Sequence, residues 1–475
     1  MKYRHLLGIL AMGSLAVAST ETRALSPQAT AAQLCRTKLT SAGKAYAKTR
    51  RNLLTACAAK LLKCALMEEI DHADAKSCRD QATSFCVAKL ATPGQGLQKA
   101  RDKFVEKAVS ACTPAGQTAV CSTNPGGLYL DNLPFCCSTS PDLQSLFVCV
   151  RGLLDGMVDQ DTGLAMPRAG RLLDNIGLGG LFGALLRPFS TTVTLTQSGG
   201  NLNSPGIINV PATQNLEFNA TALPCGSNSG NGTLEVRVGS QGTGCGDLVA
   251  DQTVTMKENE YALSPLYVGP FDQNMLYCIT WKDPGGGGCT SGPGSSVFGQ
   301  IVVSGGSMPP TTLASRATVL ACQNKFRSQG KAVANFAANK LHACGDKVAK
   351  CELANEIDGA GTCTPAYNTP CSTIDTAIDN KLVSSAGKIT AVPGSCSSIA
   401  FTQLRSFVGG LGFKIGSCGS TADLNSLAQC VLGQPNMSTG VKCFVEYASQ
   451  FRDPRLKQSL IAAGLTPSVD FPCIP

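Results

Sequence analysis

The chain of 475 residues is long enough for roughly two to four domains of ordinary size. Its 43% hydrophobic content indicates a globular rather than a disordered protein, and its net charge is +8. Only 5% of the residues are aromatic, with a single tryptophan. Binding modes that stack sugars or bases on aromatic platforms are therefore disfavoured, and no nucleic-acid partner is expected.

The N-terminus has the pattern of a secretory signal peptide. Lys2 and Arg4 form a basic start, an apolar run follows, and small residues come after it. We assign residues 1–24 to this signal peptide. The apolar run is too short to span a bilayer comfortably and no later stretch approaches that length, so no transmembrane segment is expected in the mature chain. The pattern predicts a secreted or periplasmic, extracytoplasmic protein.

A long segment of the chain occurs twice. Cys35–Asp71 and Cys322–Asp358 align without a gap, about half of the aligned positions are identical, and the position numbers differ by 287 (322 − 35). The similarity continues to Gly177-Leu178 and Gly464-Leu465. The repeat therefore spans nearly all of each arm, which indicates a duplicated structural unit.

The first part of each copy has the apolar periodicity of a helix, with Gly43 and Gly330 leaving room for a kink. Its cysteines recur at steps of seven and eight residues on either side of a short polar turn. An antiparallel helical hairpin would pair them as a ladder, although spacing alone does not prove connectivity. The ladder pairs Cys64 with Cys78, Cys57 with Cys86 and Cys35 with Cys112, and in the second copy Cys351 with Cys363, Cys344 with Cys371 and Cys322 with Cys396.

All 24 cysteines are expected to form structural disulfides, because an exported chain with an even number can pair every thiol. No C-x-x-C pair is present and there are only three histidines, so we expect no metal site and no cofactor. The run from Cys137 to Cys149 aligns with the run from Cys418 to Cys430. Two cysteines of each arm have no counterpart and are expected to pair with each other, Cys121 with Cys136 and Cys443 with Cys473. The adjacent Cys136 and Cys137 would then belong to different bridges. Outside the ladder, the proposed disulfide cysteines are Cys121, Cys136, Cys137, Cys149, Cys225, Cys245, Cys278, Cys289, Cys418, Cys430, Cys443 and Cys473.

Between the two copies the pattern changes to short alternating segments separated by Gly, Asn, Asp and Pro. This centre holds three basic and eight acidic residues, so the positive charge lies in the arms. The sequence predicts a multidomain α plus β protein in which two duplicated disulfide-rich α-helical modules flank a central antiparallel β-sandwich-like domain. The boundaries are residues 25–190 for the first module, 191–306 for the β domain and 307–475 for the second module.

Several polar patterns invite a functional interpretation, and each has a simpler structural one. The basic cluster on the first helix is typical of a solvated face, although it could bind an acidic polymer. The repeated Glu-Ile-Asp at Glu69 and Glu356 is favoured as a cap or turn, with Asp71 and Asp358 capping the next segment. The mature histidines, His72 and His342, do not correspond between the copies, so we expect no catalytic residues. The cluster comprises Lys38, Lys44, Lys48, Arg50 and Arg51.

Two glycine-rich segments also have a structural interpretation. Asp283–Ser296 lacks the residues that follow a phosphate-binding loop and is interpreted as a hairpin connection. Gly177–Leu186 is apolar enough to contact a membrane or a fatty ligand, but packing in the core of its arm is favoured.

These patterns favour a secreted non-enzymatic protein with a binding or structural role, in which the helical arms support an interaction domain at the centre. Its partner would be a glycan, a protein or an acidic surface polymer. One alternative is a carrier of lipids or other hydrophobic ligands with a cavity inside each arm. Another is a secreted hydrolase with an unrecognised carboxylate site.

Overall fold

The structure is a computed structural model that describes the chain from Ser26 to Ile474 with several gaps, so the predicted signal peptide lies outside the described residues. We call residues 26–185 the first arm and residues 313–474 the second arm. The gaps are residues 131–135, 186–189, 307–312, 360–370, 407–408, 414–417, 419–420, 435–439 and most turns between residues 199 and 297.

Each arm begins with a helix of 43 residues, α1 in the first and α8 in the second. Ser26 and Ser315 are the N-caps, and the side-chain oxygen of each accepts a hydrogen bond from a backbone N–H in the first turn. The first arm contains α1 (Pro27–Glu69), α2 (Lys76–Cys86), α3 (Gly96–Cys112), α4 (Gly116–Cys121), α5 (Cys136–Thr139), α6 (Leu143–Ala165) and α7 (Ala169–Asp174). Both long helices continue without a break through Gly43 and Gly330.

The second arm also begins with a long helix, and among its described residues the counterpart of α6 is divided in two. It contains α8 (Arg316–Asp358), α9 (Ile374–Thr390), α10 (Phe401–Arg405), α11 (Leu424–Leu432), α12 (Gly440–Arg452), α13 (Leu456–Ala462) and α14 (Pro467–Asp470). The continuous α6 of the first arm corresponds to both α11 and α12. The reason is that the second copy has six more residues between Cys430 and Pro454 than the first copy has between Cys149 and Pro167. From Gly440 onward the offset between the copies returns to 287, so α12 matches the second half of α6.

The prediction of a central β-sandwich is wrong: the protein is a disulfide-rich helical protein. The strands at the centre join through hydrogen-bonded pairs into one sheet, in the order β6-β5-β8-β2-β1-β9-β4-β7 with β3 beside β8, whereas a sandwich needs two packed sheets. They are β1 (Ser190–Ser198), β2 (Asn201–Asn203), β3 (Ile208–Val210), β4 (Asn215–Ala222), β5 (Thr233–Gly239), β6 (Gln252–Lys257), β7 (Leu266–Val268), β8 (Met275–Lys282) and β9 (Phe298–Gly306). The glycine-rich Asp283–Ser296 lies outside the described residues.

The two arms do not flank the centre as separate modules, because they pack directly on each other. Helix α1 contacts α8, α6 contacts α12, and the buried apolar residues of both arms belong to one core. The long helices run antiparallel, because the end of each lies beside the start of the other. The Oδ2 atom of Asp71, just beyond the end of α1, is 3.1 Å from the Nε atom of Arg316 at the start of α8. Asp358 at the end of α8 accepts a hydrogen bond from the backbone N–H of Ser26, just before α1. The two copies are thus related by an approximate two-fold axis, which we call the pseudo-dyad.

Every pair of the predicted ladder for which both cysteines are described forms a disulfide. The remaining described pairs lie further along each arm and in the centre, and every described pair joins two cysteines of the same part. The bridges are Cys35–Cys112, Cys57–Cys86, Cys64–Cys78, Cys121–Cys137, Cys136–Cys149, Cys245–Cys278, Cys322–Cys396, Cys344–Cys371, Cys418–Cys430 and Cys443–Cys473. Cys351 is also disulfide-bonded, whereas Cys225, Cys289 and Cys363 lie outside the described residues.

The adjacent Cys136 and Cys137 do belong to different bridges, but with exchanged partners. Cys137 pairs with Cys121, and Cys136 pairs with Cys149 across a short helical turn. The structural equivalent of Cys418 is therefore Cys136, and not Cys137 as the alignment predicts. Alignment cannot separate two consecutive cysteines, whereas the direction of each Cβ in α5 can.

Candidate functional site

The repeated glutamates of the Glu-Ile-Asp pattern each form an ion pair within their own arm, and both partners of each pair hydrogen-bond to the backbone of the other arm. Glu69 accepts two hydrogen bonds from Arg168, of 2.5 and 2.9 Å, and a third from the backbone N–H of Gly409 in the other arm. Arg168 also donates to the carbonyl of Gly410. The expectation that Asp71 caps the next segment is wrong, since α2 has no side-chain cap and Asp71 contacts the start of the opposite long helix. Asp358 also contacts the start of the opposite long helix, and the segment that it was expected to cap lies outside the described residues.

The second copy repeats this arrangement around the pseudo-dyad. Glu356 accepts hydrogen bonds of 2.5 and 3.0 Å from Arg455, and a further one from the N–H of Gly126 in the first arm. Arg455 donates to the carbonyl of Gly127. The first glycine of each pair has a positive φ, 85° at Gly126 and 65° at Gly409, which explains why both copies use glycine there. These two Glu–Arg clamps are structural.

The basic cluster of α1 does not form one solvated face. Arg50 is 1% exposed, and it donates hydrogen bonds of 2.7 and 2.8 Å to both carboxylate oxygens of Asp159. Arg51 forms an ion pair with Asp161, which is 2% exposed. Lys38 remains exposed at the surface, as expected of a solvated residue.

Lys44 and Lys48 instead line a cavity between the arms, together with Arg51. This central cavity has a volume of about 250 Å³. Helices α1 and α6 line it from the first arm, and α8 and α12 line it from the second. The cavity opens to solvent beside Lys48 and Asn339, which are both exposed.

The central cavity lies on the pseudo-dyad. Most of its lining residues have their duplicate counterpart, 287 positions away, in the lining of the same cavity: Ala47 with Ala334, Val158 with Val445, and Met157 with Phe444 are examples. The apolar counterparts are similar, whereas the charged positions differ. The first copy has Lys48, Arg51 and Asp161 where the second has Asn335, Ala338 and Ala448.

The charges around the cavity are predominantly positive. Four cationic side chains line it, Lys44, Lys48, Arg51 and Arg452, against the single carboxylate of Asp161, which Arg51 already binds. Burial and the nearby charges of Arg452 and Lys48 hold the pKa of Lys44 below its usual range. Burial, followed by repulsion from Arg51, lowers the pKa of Arg452 to about 10. The protein therefore places more positive charge here than its own groups neutralise.

Arg452 is held in place by its own helix. Its Nε donates to the carbonyl of Ala448 at 2.9 Å, and its Nη2 donates to the hydroxyl of Ser449 at 2.7 Å. In the part of the chain that the structure describes, no carboxylate lies within ion-pair distance of its guanidinium. The stem of Arg452 packs over Gly43, where a Cβ would lie only 2.6 Å from its Cγ. Gly43 thus makes room for the side chain that lines the cavity.

A second cavity, of about 290 Å³, adjoins the central one and shares Arg51 and Asp161 with it. Arg327 and Lys331 of α8 line it, together with Asn52 and Thr55 of α1. The pseudo-dyad relates this side cavity to a space on the other side that has a volume of only about 10 Å³. The difference arises because Arg452 and His342 fill that space, whereas their counterparts, Ala165 and Thr55, leave the side cavity open.

The remaining candidates take structural positions. His72 is exposed, and burial lowers the pKa of His342 in the filled space. Leu178, Phe182 and Leu185 of the apolar segment are buried in the first arm. The described residues contain no group of three or more potential metal ligands. They also contain no helix with the length and hydropathy of a membrane span.

The duplication carried signals for these sites that the sequence analysis missed. Arg51 and Asp161 are both replaced by alanine in the second copy, whereas Glu69 and Arg168 are both retained, as expected of paired residues. Comparison with protein-family models, with curated proteins and with solved structures finds no match to this chain.

Proposed function

We propose that this chain is a secreted, extracytoplasmic binding protein that takes a small anionic ligand into the central cavity between its arms. The observation that carries the proposal is the set of four cations around a solvent-connected cavity with one carboxylate, which is already paired. The many disulfides fit an extracellular protein.

An anion would be favoured here for electrostatic reasons. Lys44 and Arg452 are partly or fully removed from water, and each repels the other positive charges of the cavity. A carboxylate or phosphate oxygen would replace the lost solvation and accept charge-assisted hydrogen bonds. The same lining disfavours the fatty ligand of the alternative carrier function, because the apolar chain of such a ligand would leave these cations without a partner.

The two copies suggest how the site arose. A duplicated, two-fold symmetric cavity would carry matching residues on both sides, yet the charged residues are concentrated on the first copy and at Arg452. Structural contacts such as the two Glu–Arg clamps kept both halves of each pair. Divergence of the charged lining beside a similar apolar lining fits a binding site acquired after duplication.

Thermal unfolding with small anions at low ionic strength tests the proposal. We expect succinate, phosphate or sulfate to raise the melting temperature, and the neutral isostere succinamide to leave it unchanged. Lys48→Asn introduces the residue found at the matching position of the second copy, Asn335. It should weaken anion binding about two- to fivefold, as expected for the loss of ~0.5–1 kcal/mol at an exposed charge.

Lys38→Asn is the matched control, because Lys38 is an exposed lysine on the same helix and does not line the central cavity. It makes the same change in net charge and should retain the full response. An equal loss in both variants would indicate general charge screening. That result, or the absence of any anion effect, would contradict the proposal.

A further inference from the structure

We infer that the ligand is a linear molecule with an anionic group at each end, which occupies the central cavity and the side cavity at once. This inference rests on the proposed function and extends it to the class of ligand. Its basis is that two cationic cavities adjoin each other, with Arg51 shared between them.

The antiparallel helices place the two sets of cations at different heights along α1. Lys44 and Lys48 lie in the central cavity opposite Asn335 and Asn339 of α8. Asn52 and Thr55 lie in the side cavity opposite Arg327 and Lys331. Lys48 and Thr55 are seven residues apart, which corresponds to about 10 Å along the helix axis at 1.5 Å per residue. Two anionic groups at roughly that separation would each contact cations.

The side cavity has its own unneutralised charge. Arg327 is half-buried and Lys331 is exposed, and neither has a carboxylate within ion-pair distance among the residues that the structure describes. The hydroxyls of Thr55 and Ser328 and the amide of Asn52 add polar groups to the lining. Asp161 is the only carboxylate of the lining, and it is bound to Arg51.

Size also favours a ligand that uses both cavities. Each cavity alone is smaller than the range of about 300–1,000 Å³ that is usual for small-molecule sites, whereas the two together fall within that range. The pseudo-dyad would provide an equivalent space on the opposite side, but Arg452 and His342 fill it. The cavity therefore extends in one direction only, toward Arg327 and Lys331.

Calorimetric titration with straight-chain dicarboxylates, from succinate to sebacate, tests this inference at low ionic strength. We expect the affinity to rise at least tenfold from the shortest diacid to the one that spans both cavities, and then to stop rising. The monomethyl ester of each diacid is the matched probe, since it keeps the chain and loses one charge. It should show no such optimum with length.

Variants separate this inference from the proposed function. The double variant Arg327→Gln/Lys331→Gln changes a half-buried and an exposed residue of the side cavity, neither of which has an ion-pair partner among the described residues, so the fold should be retained. It should abolish the advantage of the long diacid and leave binding of the monoester unchanged, whereas Lys48→Asn should weaken both. Equal affinity for diacid and monoester, with Lys48→Asn still weakening both, would overturn the two-cavity inference alone. Binding of neither probe would overturn the proposed function as well.

Discussion

At the scale of single residues, burial decides how much an ion pair contributes to stability. Glu68 and Glu69 are neighbours at the end of α1 and each pairs with an arginine. The Glu68–Arg79 pair is largely exposed, with 37% and 47% of the side chains accessible. In the Glu69–Arg168 pair, 19% of the Glu69 side chain and 7% of the Arg168 side chain are accessible. Glu69 also accepts a hydrogen bond from the backbone N–H of Gly409. The two neighbours should therefore differ in their contribution to stability.

Glu69→Gln leaves the guanidinium of Arg168 buried without its carboxylate. We expect it to lower the free energy of unfolding by about 3–5 kcal/mol. Glu68→Gln, the matched control one residue away, should cost about 1 kcal/mol or less. Denaturant unfolding with the disulfides intact measures both values. Similar effects of the two substitutions would show that the Glu69 clamp is not a significant contact between the arms.

At the scale of the helices, two glycines at equivalent positions have different roles. A Cβ at Gly330 would lie 3.4 Å from the Cβ of Ala165, an ordinary contact, whereas a Cβ at Gly43 would lie 2.6 Å from Arg452 Cγ. Gly330→Ala should raise the free energy of unfolding by ~0.5–1 kcal/mol through helix propensity. Gly43→Ala should lower it by about 1–3 kcal/mol through overpacking, and should weaken anion binding because Arg452 is displaced.

Denaturant unfolding and the succinate-induced rise in melting temperature, measured on both glycine variants, check this prediction. If Gly43→Ala bound anions as well as Gly330→Ala does, Arg452 would not be part of the binding site. The comparison is informative because both substitutions add one methyl group at the same position of a duplicated helix.

The elements also show what the sequence could and could not predict. The first ladder followed from spacing, because cysteines seven and eight residues apart face each other across an antiparallel hairpin, as Cys57 and Cys86 do. The alternating segments of the centre do not tell whether strands join one sheet or two, and the sandwich was therefore wrong. The cavity was missed because its residues come from four helices of both arms, and periodicity reports only which side of one helix is buried.

At the scale of the whole molecule, the duplicated arms pack like the two subunits of a homodimer. The two Glu–Arg clamps are counterparts: Glu69 accepts a hydrogen bond from Gly409, and Glu356 accepts one from Gly126. Some contacts have diverged. Arg36 forms an ion pair with Asp453, with both side chains at least 98% buried, whereas its counterpart Gln323 donates to the carbonyl of Ala165. The covalent connection through the centre should therefore be unnecessary for holding the folded arms together.

A specific protease site inserted between Gly306 and Leu313 tests this expectation on the folded protein. Once the chain is cut there, the described disulfides leave the arms without a covalent bond between them, because each of these described bridges lies within one part. We expect the cut protein to elute as one species under native conditions and to separate into two chains on a denaturing non-reducing gel. Ion pairs between the arms and one continuous core favour their association. The cut removes only the covalent tether, which keeps each arm at a high local concentration around the other. The same cut in an Asp453→Asn variant should release the arms more readily, since Arg36 would lose its buried charge partner in the other arm and keep only the ion pair with the exposed Asp346. Two separate species from the unsubstituted cut protein would mean that the centre holds the arms together, and the cavity would then depend on that connection.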